Sequence, residues 1–463
     1  MILPIIWAKP KAGVSDNPFQ HANTNRILKI TLHSSSFSDL RDDEIEAIKT
    51  LHEFANLPDI EAIDTEIDSL PHLEIGQYQP GDSEVSISVT AIDHWIKSSI
   101  PFLQQWENLA SEFSGQSDIT HPDSQAVLAD ILLAQAHIQL KQDIFVTRSE
   151  RLLSLRNANI LKSANIRTPL EAVKIVGFFL RFLGKFIYIA HSKGHSSVNR
   201  GAFYWGLSRN NLPNMWKYFT ICLHAESHRH DDTGDVAGSI LMRCSRAFEA
   251  RDSIAYSFYA PQNNDTRDEL MYHFDYLTLL LSGIFDAQAL IAHRTYNIEK
   301  PIERYASFRN EDMCKALTKA TDLHKLVSDP KFKELMTLLY LMRNTIHKAG
   351  MRTTEYHVIG NQRISYVIVP TVFAENIINA VKNIGSSDEV WGLFQSHELL
   401  LEPFTYAAKL LKECLFQINE IAGATDVSRL LPEGVDIPDV SDTPPADPLF
   451  QGTIKQRINL LGL

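Results

Sequence analysis

Apolar and polar positions along this chain alternate with period two in a few short stretches and follow helical spacing over most of the rest. Residues 26–33 (RILKITLH) and 84–90 (EVSISVT) alternate and predict strands, the second preceded by the turn-forming run Pro80-Gly81-Asp82. Residues 42–55 predict an acidic amphipathic helix, and 91–113 read as another. Further helices are expected over 125–140, 149–164 and 170–191. Thr266 and Glu269 have capping-box spacing and open a long helix to about residue 297, with Leu270, Phe274, Leu277, Leu281, Ile284 and Ile291 as its buried face. A helix over 311–327 follows. Beyond it, Gly360-Asn361 between two short strands (356–359 and 363–369) is a hairpin signal. Helices over 373–383 and 391–421 complete this part, with Gly423 as a stop.

One segment carries the clearest signals at both ends. Residues 329–350 read DPKFKELMTLLYLMRNTIHKAG, with Asp329 as N-cap, Pro330 at the first helical position and Gly350 as the left-handed stop. Phe332, Leu335, Leu339, Met342 and Ile346 form a core stripe. A neighbouring stripe holds Met336, Tyr340, Arg343 and His347. Arg343 and His347 are i and i+4, with Asn344 beside them.

Composition sets the class. At 463 residues, 44% hydrophobic and 22% charged, the chain is a multi-domain globular protein rather than a disordered polymer. The fold class expected is mainly α. Its parts are a small acidic α+β N-terminal domain over 1–120, a basic helical middle region over 121–263, a helical bundle with an inserted β-hairpin over 264–423, and a Pro/acidic linker with a tail over 424–463. The tail, 454–463, reads as a short basic-apolar plug for a partner subunit. Four scattered cysteines with no ligand spacing point to a reducing compartment. No signal-peptide layout is read near the first residues, and Lys174, Arg181 and Lys185 interrupt the most apolar stretch. A cytoplasmic location, no membrane partner, no cofactor and no resident metal are expected.

Charge is unevenly placed. The net value of −12 combines a local −10 over 39–74 with a local +9 over 141–210. Lys174, Arg181 and Lys185, with Arg151 and Arg156 upstream and several phenylalanines between them, are candidate RNA contacts: cations track a phosphate backbone and aromatic rings stack bases. The same pattern also describes a solvated face over an aromatic core. His224 and His228, i and i+4 among carboxylates, are a weaker candidate for a metal-dependent nuclease site, set against a solvated helix end.

An Arg and a His on one helix face suit metal-free cleavage of RNA. The imidazole takes a proton from a 2′-hydroxyl or returns one to the leaving oxygen, while the guanidinium holds the phosphoryl oxygens. Asn344 orients either group or bonds the scissile phosphate. One copy supplies one imidazole, and a homodimer supplies two. The bland alternative is that Arg343 and His347 offset the helix dipole in the last turn. The run LMRNTIHKAG, preceded by a long helix containing Asp286 and followed by a hairpin and another helix, resembles the HEPN superfamily of small helical domains. Arg343, Asn344 and His347 stand at its motif, with fewer residues between Arg and His than the family usually places there. The resemblance implies a homodimer and a metal-independent endoribonuclease of prokaryotic antiviral, abortive-infection or toxin systems, with an antitoxin or trigger protein as a further partner. It also implies the alternative of a non-catalytic RNA- or nucleotide-binding adaptor.

Overall fold

The computed structural model describes residues 26–65, 70–79, 81–90, 95–101, 104–156, 159–229, 231–260, 262–348, 350–358, 362–436 and 452–462. The chain is mainly α and divides into two compact units, Met1–Val198 with Leu460–Leu463, and Asn199–Asn459. The boundary falls inside the basic region expected as one piece over 121–263, and no unit ends at 120 or 263.

The first unit is built on a seven-stranded sheet. Its elements in order are β1 (Leu28–Leu32), α1 (Asp42–Phe54), β2 (Ile60–Asp64), β3 (His72–Ile75), β4 (Glu84–Thr90), β5 (Trp95–Pro101), α2 (Gln104–Ser114), α3 (Pro122–Gln139), β6 (Ile144–Val146), α4 (Glu150–Leu155), β7 (Ile166–Arg167), α5 (Pro169–Phe182), β8 (Ile187–His191) and β9 (Gly194–Ser197). The strand order is β5-β4-β3-β2-β1-β6-β7. β3, β2, β1, β6 and β7 are mutually parallel, while β4 and β5 add an antiparallel edge. β1 and β6 are buried along nearly their whole length, as parallel strands covered by helices must be. The helix expected over 91–113 is therefore a strand followed by a helix. Pairing with β4, from Glu84↔Pro101 to Thr90↔Trp95, outweighs the local helical spacing. The helix expected over 149–164 is α4 plus a separate 3₁₀ segment, Asn159–Ala164. That over 170–191 ends at Phe182, since Gly184 turns the chain through φ +73° into β8.

The second unit is largely helical. It holds α6 (Arg200–Asn211), α7 (Pro213–Arg229), α8 (Thr233–Tyr259), α9 (Asn264–Thr295), α10 (Ile302–Tyr305), α11 (Glu311–Ala316), α12 (Thr321–Ser328), α13 (Pro330–Lys348), β10 (Arg352–Val358), β11 (Gln362–Val369), α14 (Thr371–Ile384), β12 (Leu393–Gln395), β13 (Leu399–Leu401) and α15 (Pro403–Ala424). α9 packs on α8 and α13, and α13 on α14. Its cap is Asn263 rather than Thr266: the Asn263 side chain accepts from the Thr266 amide and the Thr266 hydroxyl accepts from the Asn263 amide, both at 2.9 Å. All six residues expected on its buried face are buried. Among the described residues α9 is the helix long and apolar enough to cross a membrane, and 67% of that apolar window lies inside the protein.

The hairpin is present as β10–β11, from Arg352↔Ile368 to Val358↔Gln362, with the Gly360-Asn361 turn outside the described residues. It belongs to a four-stranded sheet, β10-β11-β13-β12. β12 and β13 occupy part of the helix expected over 391–421, and α15 runs one residue past Gly423. The last helix, α16 (Gly452–Gly462), ends in the first unit: Arg181 on α5 donates to the Leu461 carbonyl. The end of the tail thus packs on its own chain. Most of the Pro/acidic linker lies outside the described residues.

Candidate functional site

The segment 329–350 folds as α13 and starts as its sequence dictates. Asp329 accepts from the Lys331 amide at 2.7 Å, and Pro330 opens the first turn. Its C-terminal stop differs, because Gly350 does not adopt the left-handed conformation. Phe332, Leu335, Leu339 and Met342 are buried as expected, and Ile346 is half-buried.

The neighbouring stripe meets α9. Tyr340, 5% exposed, donates its hydroxyl to Asp286 Oδ1 at 2.5 Å, and Arg343 Nη1 faces Asp286 Oδ2 at 3.8 Å. The Arg343 guanidinium also lies 5.5 Å from the Tyr340 ring centre, and that of Arg309 lies over the same ring at 4.3 Å. Arg309 is delivered there by its neighbour. Phe308 packs edge-on against Phe332 of α13, which packs edge-on against Phe285 of α9. Burial, and then the bond to Asp286, raise the Tyr340 hydroxyl far above its ordinary pKa, so it stays a donor. The Arg343–Asp286 pair is over a third exposed on both sides and contributes only about 0–1 kcal/mol, so it orients more than it stabilises.

Arg343 and Asn344 are half-buried at this surface. His347 lies one turn further on α13, and its side chain is outside the described residues. The arrangement is a positioned guanidinium with a carboxylate behind it, a second arginine beside it, and an imidazole-bearing position four residues along. Tyr340 was legible as a member of the stripe but not as the link to Asp286. Arg309 gave no signal, since it sits in a loop with no periodicity.

The five candidate RNA-contacting cations do not form one surface. Arg181 is 3% exposed and its guanidinium is spent on the Leu461 carbonyl and the Phe178 ring, which removes it as a phosphate contact. Lys185 lies beyond the end of α5 and pairs with Asp59 at 2.6 Å. Arg151 pairs with the buried Asp130 at 2.9 Å, and Arg156 faces Glu171 at 3.5 Å. Lys174 is exposed on α5. Asp59 and Asp130, both outside 141–210, thus answer two charges of the local +9. His224 and His228 meet edge-to-face at 4.8 Å on the last turns of α7, and no group of three metal-ligating side chains occurs among the described residues.

The chain matches no family model, no curated protein and no solved structure.

Proposed function

We propose that this protein is an RNA-directed effector of the HEPN type, a metal-independent endoribonuclease acting in a prokaryotic antiviral, abortive-infection or toxin system. The observation that carries this reading is the Asp286–Tyr340–Arg343 network. It joins the two helices that the resemblance pairs, and it aims a guanidinium along the face that bears His347. His347 takes the 2′-hydroxyl proton, the 2′-oxygen attacks phosphorus, and the 5′-oxygen leaves with a proton from a second imidazole. Arg343 holds the phosphoryl oxygens as their charge grows. The products are a 2′,3′-cyclic phosphate and a 5′-hydroxyl.

The second imidazole comes from a second copy. α9 carries an outward stripe, Tyr272, Tyr276, Leu279, Gly283, Asp286 and Leu290, spaced alternately by four and three. Tyr272 is 65% and Leu279 40% exposed, while Gly283 is covered by Arg243 of the same chain, whose guanidinium donates to its carbonyl at 2.6 Å. Because the stripe runs through Asp286, a two-fold contact along it brings both copies of the site together.

His347→Ala should abolish cleavage of purified RNA in EDTA while melting temperature and oligomeric state are kept. Undiminished cleavage by that variant removes the reading. The half-exposed Arg343–Asp286 pair and its place near a helix C-terminus also suit a binding adaptor with no turnover. That reading expects RNA or nucleotide retention on a filter with no products on the gel.

A further inference from the structure

The parallel strands of the first unit stand in the order β3-β2-β1-β6-β7, so the chain leaves β1 toward one side for β2 and returns to the other for β6. Ligands of such sheets bind outside the carboxyl ends of the strands where the order reverses. Here that place lies between β1 and β6, and it is lined by a closed hydroxyl network.

The protons of the network can be followed one by one. Ser36 donates its hydroxyl to the His33 carbonyl at 2.7 Å, so it accepts from the Arg148 amide at 2.9 Å and from the Thr147 hydroxyl at 3.3 Å. Thr147, its proton spent, accepts from His33 Nδ1 at 2.9 Å. His33 Nε2 is then the acceptor for the Ser35 hydroxyl at 2.8 Å. Ser34 donates to Asp64 at the end of β2. Both outer hydroxyls, Ser34 and the exposed Ser35, thus have their protons turned inward and their lone pairs left as acceptors.

We propose that this crevice binds the ribosyl group of a nucleoside or nucleotide, with its vicinal hydroxyls donating to Ser34 and Ser35. Charge decides what else the ligand carries. The carboxylate of Asp64 takes the Ser34 proton, and Arg148 is committed to Glu44 at 3.1 Å and to the Ser38 carbonyl at 2.6 Å. The field disfavours a polyphosphate, so the sugar and not the phosphate chain is recognised.

Calorimetry on the full chain tests this with the four ribonucleosides, their 5′-mono- and triphosphates, and the 2′-deoxynucleosides. At least one ribonucleoside should bind, about tenfold tighter than its 2′-deoxy form, and Ser35→Ala should weaken it about tenfold with the circular dichroism unchanged. No heat from any ribonucleoside at about 1 mM overturns the proposal. So does equal affinity for the deoxy form, undiminished binding by Ser35→Ala, or a triphosphate that binds more than about tenfold tighter than its nucleoside. The measurement does not depend on RNA cleavage: His347→Ala keeps this binding even if the nuclease reading fails.

Discussion

Asp286 is claimed from two directions, by a buried tyrosine hydroxyl and by a half-exposed arginine. Removing the tyrosine hydroxyl should therefore act on orientation and hardly on stability. Tyr340→Phe is expected to lower kcat for RNA cleavage about tenfold with KM little changed, and to cost under about 1 kcal/mol in unfolding, because water can replace the lost donor at Asp286. Single-turnover kinetics beside a denaturant titration separate the two effects. His137 gives a second prediction. It is wholly buried on α3, bonded to Thr31 at 3.0 Å and stacked on Phe145, and burial pushes its pKa down to about 3. The unfolded chain protonates this imidazole near pH 6.5, whereas the folded chain resists, so its contribution is full above that pH and is lost as pH falls toward 3. The loss at pH 4.5 should be about 2–3 kcal/mol, read by urea unfolding, and His137→Gln should flatten that pH dependence. His33 and Ser35 escaped the sequence reading at this scale, because their meaning depends on Thr147, which reaches them only through strand pairing.

Long periodic elements were legible and short ones were not. α1, α9 and α13 appear close to where their apolar spacing puts them, since a stripe several turns long leaves little freedom, and α3 appears where its Ala/Leu-rich run lies. β6 and β7 span Ile144–Val146 and Ile166–Arg167, too short for alternation to show, and with them the doubly wound order was hidden. The three-residue strands β12 and β13 were lost inside an apolar run for the same reason. The contact between α5 and the chain's last helix is testable at this scale. A Cβ added at Gly177 would collide with the Leu461 backbone. Gly177→Ala is expected to displace the end of α16 and to destabilise the first unit by about 1–3 kcal/mol, with earlier tryptic cleavage at Lys455 or Arg457 as the local readout.

At the scale of the whole molecule, the pairing proposed along the outward stripe of α9 can be tested directly. Leu279→Glu places a charge in the middle of that stripe. It should convert a dimer to a monomer in light scattering and abolish RNA cleavage together with the dimer, leaving the circular dichroism unchanged. A monomeric variant that still cuts would show that one imidazole suffices. The motif and the long helix with Asp286 were readable from the chain; the bond of Asp286 to Tyr340 and the second arginine became visible only when α9, α13 and the loop at Arg309 came together in space.

The seat of Leu461 on α5 has a further consequence during synthesis. That face of α5, with Gly177 and the buried Arg181, is made before residues 199–459, yet its cover is translated only after them. At ribosomal speeds of roughly 5–20 residues per second, the face waits on the order of 10 to 50 seconds for its last helix. A nascent chain therefore carries a patch open to chaperones, and the first unit reaches its final packing only after the whole second unit has been translated.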